Sequence, residues 1–217
     1  MLNSTKWEIS KSEINSVNDS FIHPVKYIIN SKLKIYEDNF HEFKEFKIKN
    51  IKDVEIRVRS ISKYVCAFLN SNSGCLYIGI DDDGIVKGTE LNDELLFEFK
   101  AKIEAMINQY DDYVVQQNLI SINIAAVYQN KFTKPINELY IIEIFVKKGL
   151  CDYIYTTIAG DTQGNDYQCF IKLNGTIKKI DGMNLYYYIK NKIKKIYSKK
   201  ENNNNIDNVD NLDDFYK

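Results

Sequence analysis

Across residues 53–69 the apolar side chains Val54, Val58, Ile61, Val65 and Phe68 recur at steps of four and three, the period of one helix face, with Glu55, Arg59 and Lys63 in a row opposite. An amphipathic helix is predicted there. Cys75-Leu76-Tyr77-Ile78-Gly79-Ile80 is a short apolar run closed by Asp81-Asp82-Asp83-Gly84. It predicts a strand, a turn with Gly84 at the positive-φ position, and a return through Ile85-Val86-Lys87. A second helix is expected over 92–109, with Asn92 as N-cap and Leu96, Phe99, Ile103 and Met106 inward. Ile120, Ile122, Ile124 and Ala126 then alternate with Ser121, Asn123 and Ala125, whereas residues 139–146 are apolar at almost every position. The first pattern is a half-buried strand and the second a central one. A further strand over 167–173 should turn at Asn174-Gly175, and Leu185, Ile189, Ile193 and Ile196 mark a last helix over 183–197.

These elements predict an α/β (α+β) domain over residues 25–197, a mixed, mainly antiparallel sheet flanked by helices. Residues 1–24 are polar apart from Trp7 and end at His23-Pro24, so they read as an arm. Residues 198–217, with Asn202 to Asn205 in one block, read as a disordered acidic tail. No internal repeat stands out.

Composition supports one folded unit. The chain has 217 residues, 44% of them hydrophobic and 13% aromatic, enough apolar surface to offset the entropy of ordering. The net charge of −1 conceals a segregation. Residues 170–200 carry nine lysines against Asp181 alone, and residues 201–217 carry five carboxylates against Lys217 alone. A lysine-rich surface suits a polyanion, or is a solvated helix face beside a neutralising tail. The cysteines at 66, 75, 151 and 169 form no C-x-x-C pair and fit a reducing compartment, cytoplasmic or nuclear. No leader and no membrane-length apolar run is apparent, so a soluble protein is expected.

The candidate chemistry lies before and after the first helix. Glu37 and Glu42 are five residues apart, which regular structure would set on different faces, but the turn formers Asp38-Asn39 lie between them. Glu42-Phe43-Lys44-Glu45-Phe46-Lys47 then alternates as a strand with Phe43 on one face and Glu42, Lys44 and Phe46 on the other. If the strand ending at Ile80 lies beside it, Asp81 and Asp82 emerge near the glutamates. Such an acidic cluster suits Mg²⁺ or Mn²⁺, because hard cations take carboxylate, water and phosphate oxygens together. Lys44 would neutralise a phosphoryl oxygen. Taken alone, the aspartate run is a hairpin turn. His23 and His41 have no ligand-like spacing, and no zinc site is expected. Basic residues interleave with aromatics in Lys44-Glu45-Phe46-Lys47-Ile48-Lys49, in Lys131-Phe132-Thr133-Lys134 and before the last lysines at Tyr186-Tyr187-Tyr188. These patches suit phosphates and unstacked bases, though tyrosines at helical steps also serve cores.

Three blocks carry a resemblance to a known family: E-x4-E-F-K from Glu37 to Lys44; A-F-x-N-[ST]-x-G-G, here Ala67 to Gly74; and hydrophobic-I-G-[VI]-D-D-x-G, here Tyr77 to Gly84, with Gly88 beyond. The sequence resembles the Schlafen core domain and the related Alba-like domain of bacterial transcription regulators. The resemblance implies a single Schlafen-like lobe and a divalent-metal-dependent endoribonuclease acting on structured RNA such as transfer RNA. It assigns Glu37, Glu42 and Asp82 to the metal, with Lys44 beside them; Asp81 of the aspartate run would add a fourth oxygen donor, and Lys44 would stabilise the phosphate. Lys47, Lys49, Arg59, Lys63, Lys178 and Lys179 are the phosphate-contact candidates. The alternative is a non-catalytic nucleic-acid-binding module or regulatory subunit. Because Schlafen nuclease cores pair two lobes into a groove, a homodimer or a heteromer with another lobe is implied. Ser73 replaces the first glycine of the usual pair, so strain or a different turn is expected there.

Overall fold

The computed structural model describes residues 26–110, 112–158 and 167–203. The arm expected at 1–24 and residues 204–217 of the expected tail lie outside the described residues. One six-stranded sheet runs in the order β1 (Tyr27–Ile28), β5 (Ile120–Tyr128), β6 (Pro135–Val146), β3 (Gly74–Ile78) and β2 (His41–Lys44), and β4 (Thr89–Glu90) pairs with β6 on the β3 side. β1 is parallel to β5 and β2 to β3; the pairs made by β6 are antiparallel. The apolar run that predicts a central strand is β6. A separate hairpin joins β7 (Cys169–Leu173) to β8 (Thr176–Ile180).

The helices are α1 (Ile51–Asn70), α2 (Asp93–Ile107), α3 (Asp112–Gln116) and α4 (Gly182–Asn203). α1 begins before the apolar period does, because the side chains of Asn50 and Asp53 take backbone N–H groups at its first turn. The Asn50 side chain accepts the Asp53 N–H at 3.0 Å and the Asp53 carboxylate accepts the Lys49 N–H at 2.9 Å. α2 begins as predicted, with the Asn92 side chain accepting the Leu95 N–H at 2.9 Å. Its buried face holds Leu95, Phe99, Ile103 and Met106, and Leu96, expected inward, is only partly buried. α4 continues to Asn203, beyond the expected stop at 197, because Lys and Glu are good helix formers and propagation needs no new nucleus. Among the described residues no helix is long and apolar enough to cross a membrane.

Strand alternation divides the core in two. Leu76 and Ile78 of β3 and Ile142 and Ile144 of β6 join Val54, Ile61, Val65 and Phe68 of α1 and Phe99 and Ile103 of α2. Cys75, Tyr77 and Ile141 point the other way, to Tyr27, Phe43, Ile80 and Val127. Phe43 and Phe46 fall into different clusters, as the predicted alternation of that segment requires. The second half of α1 differs from the amphipathic expectation, since every residue from Tyr64 to Asn70 is buried. A helix wrapped on all sides needs apolar residues all round, and here β7 packs against α1 as well.

The segment after α1 holds these layers together. Asn70 binds the backbone of Tyr155 and Phe170, the Ser71 hydroxyl accepts the Lys172 N–H at 2.8 Å, and the Ser73 hydroxyl accepts the Lys148 N–H at 3.0 Å. Ser73 carries no positive φ, so the strain expected there is absent. The adjacent Gly74 is the sterically restricted position, because a Cβ on it would stand 2.0 Å from the buried Phe68 ring.

Candidate functional site

β2 is an edge strand, and its position follows from the bend before it. The Asp38 carboxylate accepts the N–H groups of Phe40 at 2.7 Å and His41 at 2.8 Å, and stands 2.9 Å from His41 Nδ1. This Asx turn is the bend predicted between the glutamates. It lays Glu37 back along β2, where Glu37 Oε1 accepts the Phe43 N–H at 2.8 Å.

The adjacency predicted for β2 and β3 is present, with His41 opposite Cys75 and Lys44 opposite Ile78. The Gly79 N–H donates to the Lys44 carbonyl at 2.7 Å and leads into the aspartate turn. On the outer edge of β2, charged side chains take the remaining backbone groups. Glu37 takes the Phe43 N–H, the Lys44 ammonium the Phe43 carbonyl, and the Lys172 ammonium the His41 carbonyl at 3.0 Å. The edge that would otherwise recruit another strand is closed by the site's own charges.

Those charges alternate. Lys44 Nζ lies 2.9 Å from Glu42 Oε1 and 3.2 Å from Glu37 Oε1, while Glu42 Oε2 is bound by Lys172. Burial opposes the Lys44 charge, but the Glu42 hydrogen bond and the fields of Glu42 and Glu37 outweigh it and raise its pKa. Tyr64 of α1 sits among these groups, with Lys44 Nζ 5.7 Å and Lys63 Nζ 4.7 Å from its ring centre. Burial pushes the Tyr64 phenol up to about 12; Lys44 pulls against this, and Glu42, Glu37 and Asp82 reinforce it.

Glu37, Glu42 and Lys44 therefore stand together. Asp82 is exposed on the turn, and its charge adds to those that raise the Tyr64 phenol. Asp81 is committed to that turn: its carboxylate accepts the N–H groups of Asp83 at 3.1 Å and Ile85 at 2.8 Å and pairs with Lys87 at 3.4 Å. Among the described residues, no three acidic, histidine or cysteine side chains stand close enough to hold one metal ion. Two of the expected donors nevertheless fit such an ion, because Glu37 Oε1 and Glu42 Oε1 converge on one cationic point, now an ammonium. Of the phosphate-contact candidates, Lys63 adjoins the site. Lys47 and Lys49 are exposed beyond β2, Arg59 lies beside the Glu55–Lys102 ion pair of α1 and α2, and Lys178 and Lys179 are exposed on β8.

Lys172 and Tyr64 are the members that site reasoning from sequence missed. Lys172 shares the strand parity of the buried Phe170, and a lysine at an inward position of an apolar strand signals a buried acidic partner.

A family model described as Schlafen, AlbA_2 matches residues 37–181, from the first candidate glutamate to the end of β8. The chain belongs to the Schlafen, AlbA_2 family. This is a nucleic-acid-related family, and its matched span contains every candidate site residue. Among solved structures, the chain is similar to the DIP2311 protein from Corynebacterium diphtheriae at 15% identity and a TM-score of 0.40. That match covers 71% of this chain and 28% of the length of the other. The Schlafen blocks acquire physical meaning in this fold: E-x4-E-F-K builds the closed edge of β2, and A-F-x-N-S ties α1 to the second hairpin.

Proposed function

We propose that this chain is a Schlafen-type endoribonuclease lobe that engages structured RNA, transfer RNA for example, and cleaves it with Mg²⁺ or Mn²⁺. The observation supporting this reading is the convergence of Glu37 and Glu42 on one cationic point beside Lys44. Glu37 and Glu42 would hold the ion, with Asp82 as the third donor from the neighbouring turn. Bound there, Mg²⁺ or Mn²⁺ supplies polarisation of a phosphate oxygen and a water of lowered pKa. Lys44 and Lys63 bring positive charge to the phosphate, and Tyr64 excludes water behind it. Lys47, Lys49, Arg59, Lys178 and Lys179 are the outlying phosphate contacts. The turn between β5 and β6 adds an aromatic contact, because Phe132 is 98% exposed there between Lys131 and Lys134. A second lobe, from another copy or from a related chain, would complete the groove.

One observation favours the runner-up, a binding module without catalysis: both glutamates are already ion-paired, and among the described residues no third acid stands close enough to share an ion with them. Labelled transfer RNA incubated with Mn²⁺ separates the two readings. Cleavage by the native chain that is lost in E42Q supports the enzyme, whereas binding without cleavage supports the module. Sedimentation with and without RNA reports on pairing. A monomer that binds at full affinity removes the need for a second lobe.

A further inference from the structure

The two lysines around Glu42 are not equivalent. The Lys172 side chain has no exposed surface, while that of Lys44 is 23% exposed. Lys172 is anchored at both ends. Its backbone N–H binds Ser71, and its ammonium binds Glu42 Oε2 and the His41 carbonyl and lies 5.3 Å from the centre of the Phe68 ring. If Glu42 Oε2 turned away, it would strand a buried ammonium, the costliest state open to this pair. Lys44 reaches Glu42 Oε1 on a flexible stem from the partly exposed side and shares that position with Glu37.

We propose that Lys172 is a positioning residue that locks Glu42 Oε2, so that Glu42 presents Oε1 alone to an incoming cation while Lys44 is the partner that exchanges. This rests on reading Glu37 and Glu42 as the reactive pair. It makes the β7–β8 hairpin part of the site although it belongs to a different sheet. The docking is reinforced at the hairpin tip, where the Gly175 N–H donates to the Asn39 side chain at 2.7 Å inside the Asp38 bend. One hairpin therefore fixes both the bend that carries Glu37 and the oxygen that orients Glu42. Lys44, once displaced from the carboxylates, remains beside them to meet a phosphate.

The test combines Mn²⁺ titration with a melting cycle on the full chain. Mn²⁺ affinity, read by electron paramagnetic resonance, should fall about tenfold or more in K172M, as for other residues that orient metal ligands. In K44M it should stay at or above the native value. K172Q replaces K172M in the titration if K172M does not fold. Independently of any metal, the E42Q/K172M double variant should melt above E42Q, because the second change removes the stranded ammonium. Native Mn²⁺ affinity in the Lys172 variant, or a large loss in K44M, overturns the positioning role; strictly additive melting shifts overturn the pairing itself. A native chain that binds no Mn²⁺ sinks the metal-dependent nuclease reading, and the melting cycle still decides whether Lys172 locks Glu42.

Discussion

Asn70 grips the backbone of Tyr155 from both sides: its Nδ2 donates to the Tyr155 carbonyl at 2.8 Å and its Oδ1 accepts the Tyr155 N–H at 2.9 Å. The same amide also donates to the Phe170 carbonyl at 3.0 Å, so one buried side chain ties the segment around Tyr155 to β7. Replacing it by alanine removes three buried hydrogen bonds to the backbone. N70A should cost roughly 3–5 kcal/mol, a large part of the stability of an ordinary domain. The urea midpoint should drop with the slope unchanged. A loss under about 1 kcal/mol would show that water satisfies these groups instead.

Gly79 and Gly84 both have positive φ, at +100° and +78°, but their surroundings differ. A Cβ on Gly79 would meet Ile141 at 2.8 Å and the Gly88 backbone at 3.0 Å, whereas on Gly84 its nearest contact is Phe43 at an ordinary 3.6 Å. G84A should therefore cost only the left-handed strain, about 1 kcal/mol, and G79A should cost at least about 2 kcal/mol more through the clash with backbone. Chemical denaturation of the two variants gives the order. Equal losses would mean that the loop at Gly88 yields freely.

The turn at Gly84, the helix of α1 and the bend at Asp38-Asn39 were legible because each depends on residues within a few positions of one another. The Lys172–Glu42 pair was not, since its partners are 130 positions apart and belong to different sheets. Asn174-Gly175 announced a hairpin, but no local pattern says that β7 and β8 stand outside the main sheet or that β7 packs on α1. The all-round burial of the second half of α1 was hidden for the same reason. Ala67, Phe68 and Leu69 fit a one-sided helix equally well until β7 is known to lie against them. Family resemblance recovered Asn70 and Ser71 as a motif, and only the fold shows that they bind strand backbone.

Tyr64 gives the site an alkaline signature. Its folded pKa of about 12 lies above the ordinary tyrosine value, so the folded state holds the phenol proton more tightly than the unfolded chain does. The resulting stabilisation is complete below about pH 10 and is lost as pH rises towards 12. Between those limits Y64F should lose less stability than the native chain, and the tyrosinate absorbance missing from Y64F should titrate near 12. K44M removes the cation that pulls this pKa down and should raise it further. A missing titration centred near 10 would mean that the Tyr64 phenol is solvated.

Phe132 lends itself to separating stacking from charge in RNA binding. The turn that carries it is ordered by Asn130, whose side chain accepts the Phe132 N–H at 2.9 Å, and the ring itself touches almost nothing. F132A should therefore leave the melting temperature unchanged. If an unpaired base stacks on the ring, the same substitution should weaken binding of single-stranded RNA by about 1–3 kcal/mol with the salt dependence preserved, because no phosphate contact is lost. Replacing Lys131 and Lys134 should do the reverse, lowering the slope of log affinity against log salt by about 0.7 for each lysine that meets a phosphate. Fluorescence anisotropy at several salt concentrations resolves the two effects. Unchanged binding in F132A would confine RNA contact to the lysine faces, since an exposed ring on an ordered turn costs nothing to stack upon.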